Sequence, residues 1–393
     1  MSKPKPKSAP AKSGAGASAP QDARLEGLRR EIDHVDAQLV ELLARRQRVI
    51  QQVAEVKQLQ GLPTSHPARE ENLISARRAQ AQQAGLDPDY VEDLFRTLLR
   101  HSRVGQLHTL GRRGVRPGAK VLIVGGCGQM GRFFVQWFTQ SDYEVRVLDR
   151  EDWPRVKDLT AGIELCLLAV PIDITPAIAG KIAPCLPQGC VLADICSLKA
   201  APMAAMLKAY DGPVLGLHPL FGPATATMDK QIVVVSPGRD AARCDWLLEQ
   251  LTIWGNVLVE TPPEEHDAIM GIVQALRHFA TFTFGQFLHS RGVPILRTLE
   301  LSSPIYRLEL AMVGRLFAQD PSLYAEIVFA TPDRQRMLKD YIQSLQRNME
   351  MVDRGDKAEF IAQFRKISEW FGPFSEQAMR ESTFLVEKLV HRF

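Results

Sequence analysis

Along the first part of the chain, apolar residues fall at alternating steps of three and four: Leu25, Leu28, Ile32, Val35, Leu39 and Leu42, resuming at Val49, Val53 and Val56. That spacing keeps one stripe on one face of a helix. From Asp22 to about Leu59 there is no Pro, and Gly27 is the single Gly, so one long amphipathic helix is predicted. Gly61-Leu62-Pro63 stops it. A second helix is expected from Pro67 to about Ala84, and a third from the cap pair Asp87-Pro88 to about Leu107. Residues 21–108 therefore read as an all-helical domain. His108 to Ala119, with four Gly or Pro and three Arg, make residues 109–119 a linker.

Beyond it the period changes. Short β-branched runs stand at Lys120–Gly125, Val145–Asp149, Glu164–Val170, Cys190–Asp194, Val214–Leu217, Ile232–Val235 and Asn256–Glu260, separated by helical or turn-rich segments. Such alternation predicts an α/β domain with a doubly wound parallel sheet of the Rossmann type over residues 120–262. From 263 to 393 the pattern is helical again, so the fold class is multidomain: all-α, α/β, all-α. The first strand runs into Gly126-Cys127-Gly128-Gln129-Met130-Gly131 at the start of a helix. In that spacing the first glycine permits the tight turn, the second admits a pyrophosphate, and the third lets helix and strand pack closely. Asp149 ends the next strand, where a ribose of NAD would be held, and it favours NAD over NADP. Further ligand candidates at strand ends are Val170, Ser197 and His218; a histidine at His218 is as readily a packed loop residue as a catalyst.

Composition narrows the class. The 393 residues carry 48 Lys and Arg against 45 Asp and Glu, a net charge of +3, too even for a nucleic-acid footprint. No apolar run reaches the ~18 residues of a membrane span. The 6 cysteines form no C-x-x-C pair, which speaks against a disulfide framework and against zinc, so no metal is expected and the chain reads as reduced and cytoplasmic. Residues 1–20, nearly all Lys, Pro, Ser, Ala and Gly, read as a disordered tail.

The first helical domain carries polar residues where its apolar stripes should continue. Arg46 takes the step between Leu42 and Val49, and Lys57 lies on the same face, ~20° away around the helix. In the third helix Leu94 and Leu98 are followed at the same step by Ser102 and Gln106, and Arg69-Glu70 opens the second helix. A cation on a seam either snorkels to water or, with polar groups turned inward on three helices, marks a buried anionic ligand.

Here the domain resembles the all-helical chorismate mutases. The resemblance places the ligand set on Arg29, Arg46, Lys57, Arg69, Glu70, Ser102 and Gln106, with His66 where that family often has Asp. It implies that arginines clamp the two carboxylates of chorismate in a compact conformer, and that Lys57 with Gln106 or Glu70 steadies the breaking ether oxygen. If Glu70 does so it must be protonated, and activity would fall as pH rises. Arg29 and Arg46 are seventeen residues apart, about 25 Å along one helix, so the resemblance makes Arg29 serve a partner chain's site.

From about residue 21 the whole chain resembles the bifunctional chorismate mutase–prephenate dehydrogenases of tyrosine biosynthesis. The signs are the glycine loop, Leu215-Gly216-Leu217-His218-Pro219, Gln274-Ala275-Leu276-Arg277-His278-Phe279-Ala280, and Leu301-Ser302-Ser303-Pro304-Ile305-Tyr306-Arg307-Leu308-Glu309-Leu310 continuing to Gly314-Arg315-Leu316-Phe317. This implies an isomerase and an NAD-dependent oxidoreductase on one chain, with prephenate oxidised and decarboxylated to 4-hydroxyphenylpyruvate. His218 would take the ring hydroxyl proton, Ser197 would orient it, and Arg315 would hold a carboxylate, with Arg307, His266 and His278 as further site candidates. The resemblance also implies a homodimer built by the C-terminal helices, and tyrosine as feedback effector. A catalytically inactive, regulatory mutase-like domain is the alternative; a dehydrogenase of 3-hydroxy acids is a weaker one, having no use for a mutase-like unit.

Overall fold

The computed structural model describes residues 20–60, 67–110, 114–225 and 227–390. The expected tail up to residue 19, His66 and positions 111–113 of the expected linker lie outside the described residues. The chain divides into two compact units between Leu110 and Gly111.

In the first unit α1 (Pro20–Gln60), α2 (Pro67–Gln83) and α3 (Pro88–Leu110) follow the predicted periodicity. Asp87 caps α3 as its sequence implies, its Oδ1 accepting from the Asp89 amide at 2.9 Å. α3 packs against both α1 and α2. The apolar seam of α1 is nonetheless open to water within one chain: Ile32 is 59% and Leu42 59% exposed, and the other members of the stripe are exposed as well.

In the second unit the elements run β1 (Lys120–Val124), α4 (Gln129–Gln140), β2 (Glu144–Leu148), α5 (Val156–Leu159), β3 (Leu165–Leu168), α6 (Thr175–Ile182), β4 (Val191–Asp194), α7 (Ala200–Ala209), β5 (Val214–Pro219), β6 (Ile232–Pro237), α8 (Asp245–Ile253) and β7 (Val257–Glu260). They are followed by helices α9 (Pro263–Met270), α10 (Arg277–Ser290), α11 (Ile295–Glu300), α12 (Pro304–Phe317), α13 (Pro321–Phe329), α14 (Pro332–Asp353), α15 (Lys357–Phe371) and α16 (Pro373–Val390). The seven strands form one sheet in the order β2-β1-β3-β4-β5-β6-β7. β1 buries residues on both faces: Val121 and Ile123 join one apolar cluster, Leu122 and Val124 the other. A strand covered on both sides needs a continuous apolar run, which Val121 to Val124 supply.

The sheet is not wholly parallel as expected. β6 runs antiparallel to β5, and β7 lies parallel to β6. The residues between Pro219 and Ile232 hold no helix among those described, and a parallel return is usually made through one. The chain leaves β1 for β2 on one side and places β3 on the other. This reversal opens a crevice beyond the carboxyl ends of β1 and β3, where such sheets bind ligands. Among the described residues no helix is long and apolar enough to cross a membrane.

Candidate active sites

In the helical unit Arg46 Nη1 donates to Ser102 Oγ at 2.7 Å, and Ser102 Oγ donates in turn to the Leu98 carbonyl at 2.5 Å. Burial lowers the pKa of Arg46. Lys57 is lowered too, by burial first and by the Arg69 charge second, with Glu70 acting in the opposite sense. Glu70 Oε2 accepts from Arg103 Nη1 at 2.7 Å. Gln106 is 8% exposed, and its Oε1 has no hydrogen-bond partner among the described residues. Arg46 and Ser102 are thus in contact, Lys57, Arg69 and Glu70 act on one another through charge, and Gln106 follows Ser102 one turn along α3. Arg29 is not among them: it is exposed and pairs with Glu26 on its own helix at 2.8 Å. Arg103, buried at 8%, is a site neighbour that periodicity missed, because an arginine beside a polar stripe reads as a solvated face.

At the crevice the glycine loop has a specific division of labour. The tight turn belongs to Gly125 (φ +83), not to Gly126 as the spacing suggested. A Cβ on Gly126 would meet Val147 at 2.7 Å, and one on Gly131 would meet the Gly125 carbonyl at 2.1 Å. Only glycines let this loop lie against β2 and α4. Gly128 precedes α4 in an extended conformation, so the α4 amides from Gln129, Met130 and Gly131 open toward the crevice. Asp149 Oδ2 accepts from the Cys127 amide at 2.9 Å. Val170 borders the loop as well, 2.9 Å from where a Gly125 Cβ would stand. Arg146 is spent on Glu144 at 2.7 Å and on the carbonyls of Asp158, Leu159 and Ala161. The loop without side chains and the carboxylate beside it suit a dinucleotide.

Next to it lies a cleft of about 340 Å³ lined by Ser197, His218, Gln274, Arg277, His278, Arg315 and Tyr324, among others. His218 stands next to the end of β5, and Lys199 Nζ fixes that strand by donating to the Leu217 carbonyl at 2.7 Å while pairing with the buried Asp194. His218 Nδ1 lies 2.8 Å from His266 Nε2, and His266 Nδ1 lies 2.8 Å from Asp267 Oδ1. Asp267 also accepts from the amides of Lys199 and Ala200 at the start of α7, at 2.8 and 3.0 Å. Three donors and a helix N-terminus keep it ionised, and its pKa is lowered although burial opposes this.

The ionised end fixes the tautomers. His266 gives its Nδ1 proton to Asp267, so its Nε2 accepts from His218 Nδ1–H, and His218 Nε2 is left without a proton. Gln274 Nε2 donates to that nitrogen at 3.2 Å. Burial first, then the electrostatic effect of His266, Lys199 and Arg334, pushes the His218 pKa well below 6.5. Ser197 shares the cleft, but His218 takes its hydrogen bonds from His266 and Gln274, so the orienting partner expected of Ser197 is found in His266. His278 packs edge-on against Tyr324 with ring centroids 4.7 Å apart, and burial pushes its pKa down to about 4. Arg307 is not in the cleft: it donates to the Leu299 carbonyl. A π-helical turn over Gly271–Leu276 sets Gln274 and Arg277 toward the cleft. Sequence reasoning assigned no role to Gln274, Arg277 or Asp267, although the first two lie in a motif it singled out and the third adjoins His266.

Comparison with known proteins agrees in each region. Residues 28–107 match the family model of type II chorismate mutase, 142–258 the nucleotide-binding domain of prephenate dehydrogenase, and 262–366 its dimerization domain. The T-protein of Enterobacter agglomerans is 43% identical over 93% of this chain and 97% of its own length. That of Haemophilus influenzae is 40% identical over the same shares. Among solved structures, prephenate dehydrogenase from Aquifex aeolicus aligns with a TM-score of 0.51 at 18% identity, over 63% of this chain and 97% of that one, a likeness of fold.

Proposed function

The chain belongs to the T-protein family, bifunctional enzymes that rearrange chorismate to prephenate and oxidise prephenate with NAD to 4-hydroxyphenylpyruvate, and from that premise we propose how its residues divide the work. The domain limits proposed are 21–108 for the mutase, 120–262 for NAD binding and 263–393 for the helical dimerisation and substrate domain.

In the mutase domain Arg46 and Arg69 clamp the substrate's carboxylates, Arg46 held in place by Ser102. Orientation of this kind lowers the barrier of a pericyclic step without a covalent intermediate. Lys57 and the Gln106 amide steady the ether oxygen as its bond to carbon breaks. Glu70, already accepting from Arg103, is assigned as an acceptor for a substrate hydroxyl.

In the dehydrogenase domain the Gly126–Gly131 loop and Asp149 hold NAD, with Val170 alongside. Bound there, NAD supplies the hydride acceptor. His218 Nε2 accepts the hydrogen bond and then the proton of the ring hydroxyl, which strengthens expulsion of hydride from the carbinol carbon. Carbon dioxide leaves from the ring carbon that bears the carboxylate, the ring becomes aromatic, and the proton returns to the phenolate oxygen. Arg315 holds a carboxylate, while Ser197 and His278 line the cleft. The observation that carries this reading is the Asp267–His266–His218 chain, which leaves an unprotonated ring nitrogen at the cleft.

A homodimer belongs to the same reading. It is supported by the exposed α1 seam and by Phe364 and Trp370 of α15, 66% and 79% exposed in one chain. Tyrosine is the proposed feedback effector, because it keeps the phenol and carboxylate of the product. Cytoplasmic placement rests on six free cysteines, four of them buried. The test is to supply chorismate alone and then NAD. Prephenate should form first and NADH only after NAD is added. Absence of the first step would leave the regulatory, inactive mutase domain as the reading.

A further inference from the structure

Two guanidinium groups line the His218 cleft, those of Arg277 and Arg315, and among the described residues its lining includes no Asp, Glu or Lys. Both charges act on the Tyr324 hydroxyl, so they surround the same stretch of the wall. Arg277 is fixed on its own turn, its Nε donating to the Val273 carbonyl at 3.2 Å and its Nη2 lying 3.3 Å from His278 Nδ1. The neighbouring His278, pushed down to about 4, adds no charge near neutral pH. The fixed charge of the cleft wall is therefore two cations.

Prephenate carries two carboxylates, one on the ring carbon and one on its 2-oxo side chain. We propose that Arg277 is a second substrate-binding residue of the dehydrogenase, holding the side-chain carboxylate while Arg315 holds that of the ring, and that it selects the 2-oxo acid over its 2-amino analogue. The inference rests on prephenate being the substrate. The analogue brings an ammonium group into a wall that offers it two guanidinium groups and no carboxylate. Like charges brought together in a partly desolvated cleft weaken binding, and rejection by such repulsion is a strong form of specificity. Arginine suits the task, since its fork meets a carboxylate with two donors.

The experiment compares the full-length enzyme with Arg277→Ala and Arg277→Lys, using prephenate and the 2-amino analogue (arogenate) as substrates. Arg277→Ala should raise KM for prephenate about tenfold or more, the usual consequence of removing one partner of a charged hydrogen-bonded pair. Its kcat should change far less, because the residue touches no reacting atom. The preference for prephenate over the analogue should shrink by about the same factor, and Arg277→Lys should recover part of both by keeping the charge. An unchanged NAD affinity, read by fluorescence titration, shows that the variants are folded. An unchanged KM and an unchanged preference in Arg277→Ala overturn the proposal, as does a fall in kcat with KM untouched. Failure of the unsubstituted enzyme to oxidise prephenate would instead strike the assignment of the substrate.

Discussion

Arg103 donates to Glu70 at 2.7 Å, and the two side chains are only 10% and 15% exposed. A carboxylate engaged this way acts as an acceptor, which supports the acceptor task proposed for Glu70. Glu70→Gln separates that task from the protonated one: the amide imitates a protonated carboxyl group but lacks the charge that strengthens its bonds to a hydroxyl and to Arg103. Mutase kcat/KM should fall about tenfold or more, in the range for a lost charged hydrogen bond. Retention of full activity in this variant would return the protonated role to Glu70.

The acid limb of the dehydrogenase is set by what surrounds His218. The imidazole must be neutral to take a proton, so rate rises with pH through its pKa. Burial and the electrostatic effect of His266, Lys199 and Arg334 hold that pKa well below 6.5. In a pH series kcat/KM for prephenate should be level near neutrality and decline only well below pH 6.5. Arg334 is 3% exposed, its Nη1 donating to the Ile327 carbonyl at 2.6 Å. Arg334→Met removes one of the opposing charges, so the acid limb should move upward. A limb that stays in place would mean that this charge does not reach His218.

His266 acts on the substrate only through His218, which makes it a positioning residue. In His266→Asn the His218 Nδ1 proton loses its acceptor and the ring no longer favours one tautomer. A fall in kcat of about tenfold to a hundredfold is expected, the range for losing a group that orients a histidine, with KM for prephenate nearly unchanged. Asp267→Asn should show the same split in smaller measure. A rise in KM with kcat preserved would place His266 at the substrate instead.

Periodicity made the elements legible. The three-four stripe of α1 and the run Val121 to Val124 each demand one kind of structure, and the glycine spacing at Gly126, Gly128 and Gly131 demands a close approach. Partners far apart in sequence were not legible. His218 and His266 are 48 residues apart, Arg46 and Ser102 56, and nothing local pairs them. Direction was hidden as well. The alternation at Ile232–Pro237 predicts a strand but not that it runs against β5. At the loop, spacing alone does not say that Gly125 takes the positive φ while Gly126 makes room for Val147. The Leu301-Ser302-Ser303-Pro304 run proved partly structural, since Ser303 Oγ accepts from the Tyr306 amide and caps α12.

Cofactor preference follows from Asp149. Held by the Cys127 amide, this carboxylate stands at the edge of the glycine loop, and Arg146 is committed elsewhere. A 2′-phosphate there would meet a like charge, which costs affinity. The enzyme should therefore use NAD more efficiently than NADP, and Asp149→Asn should narrow the gap, chiefly through KM for NADP. Equal kcat/KM for both cofactors in the unsubstituted enzyme would overturn the assignment.

The exposed seam of α1 and the isolation of Arg29 have one explanation. Ile32, Val35 and Leu39 are 59%, 48% and 52% exposed, a stripe that neither α2 nor α3 covers. Each such side chain gains roughly 1.5–3 kcal/mol when fully buried, so a second copy of α1 is the natural cover. Arg29 lies about 25 Å from Arg46 along the helix axis, too far to share a ligand of roughly half that length, yet an antiparallel partner helix brings the far end of one chain to the cluster of the other. Each site would then take Arg29 from one chain and Arg46 from its partner. Arg29→Ala and Arg46→Ala should each abolish most mutase activity. When the two variants are mixed and refolded together, a mixed dimer carries both defects in one site and none in the other. About a quarter of normal mutase activity should return if chains pair at random, because half the dimers are mixed and each has one intact site of two. No recovery, with mixed dimers demonstrated by differently tagged chains, would mean that every site is built from a single chain and that Arg29 plays another part.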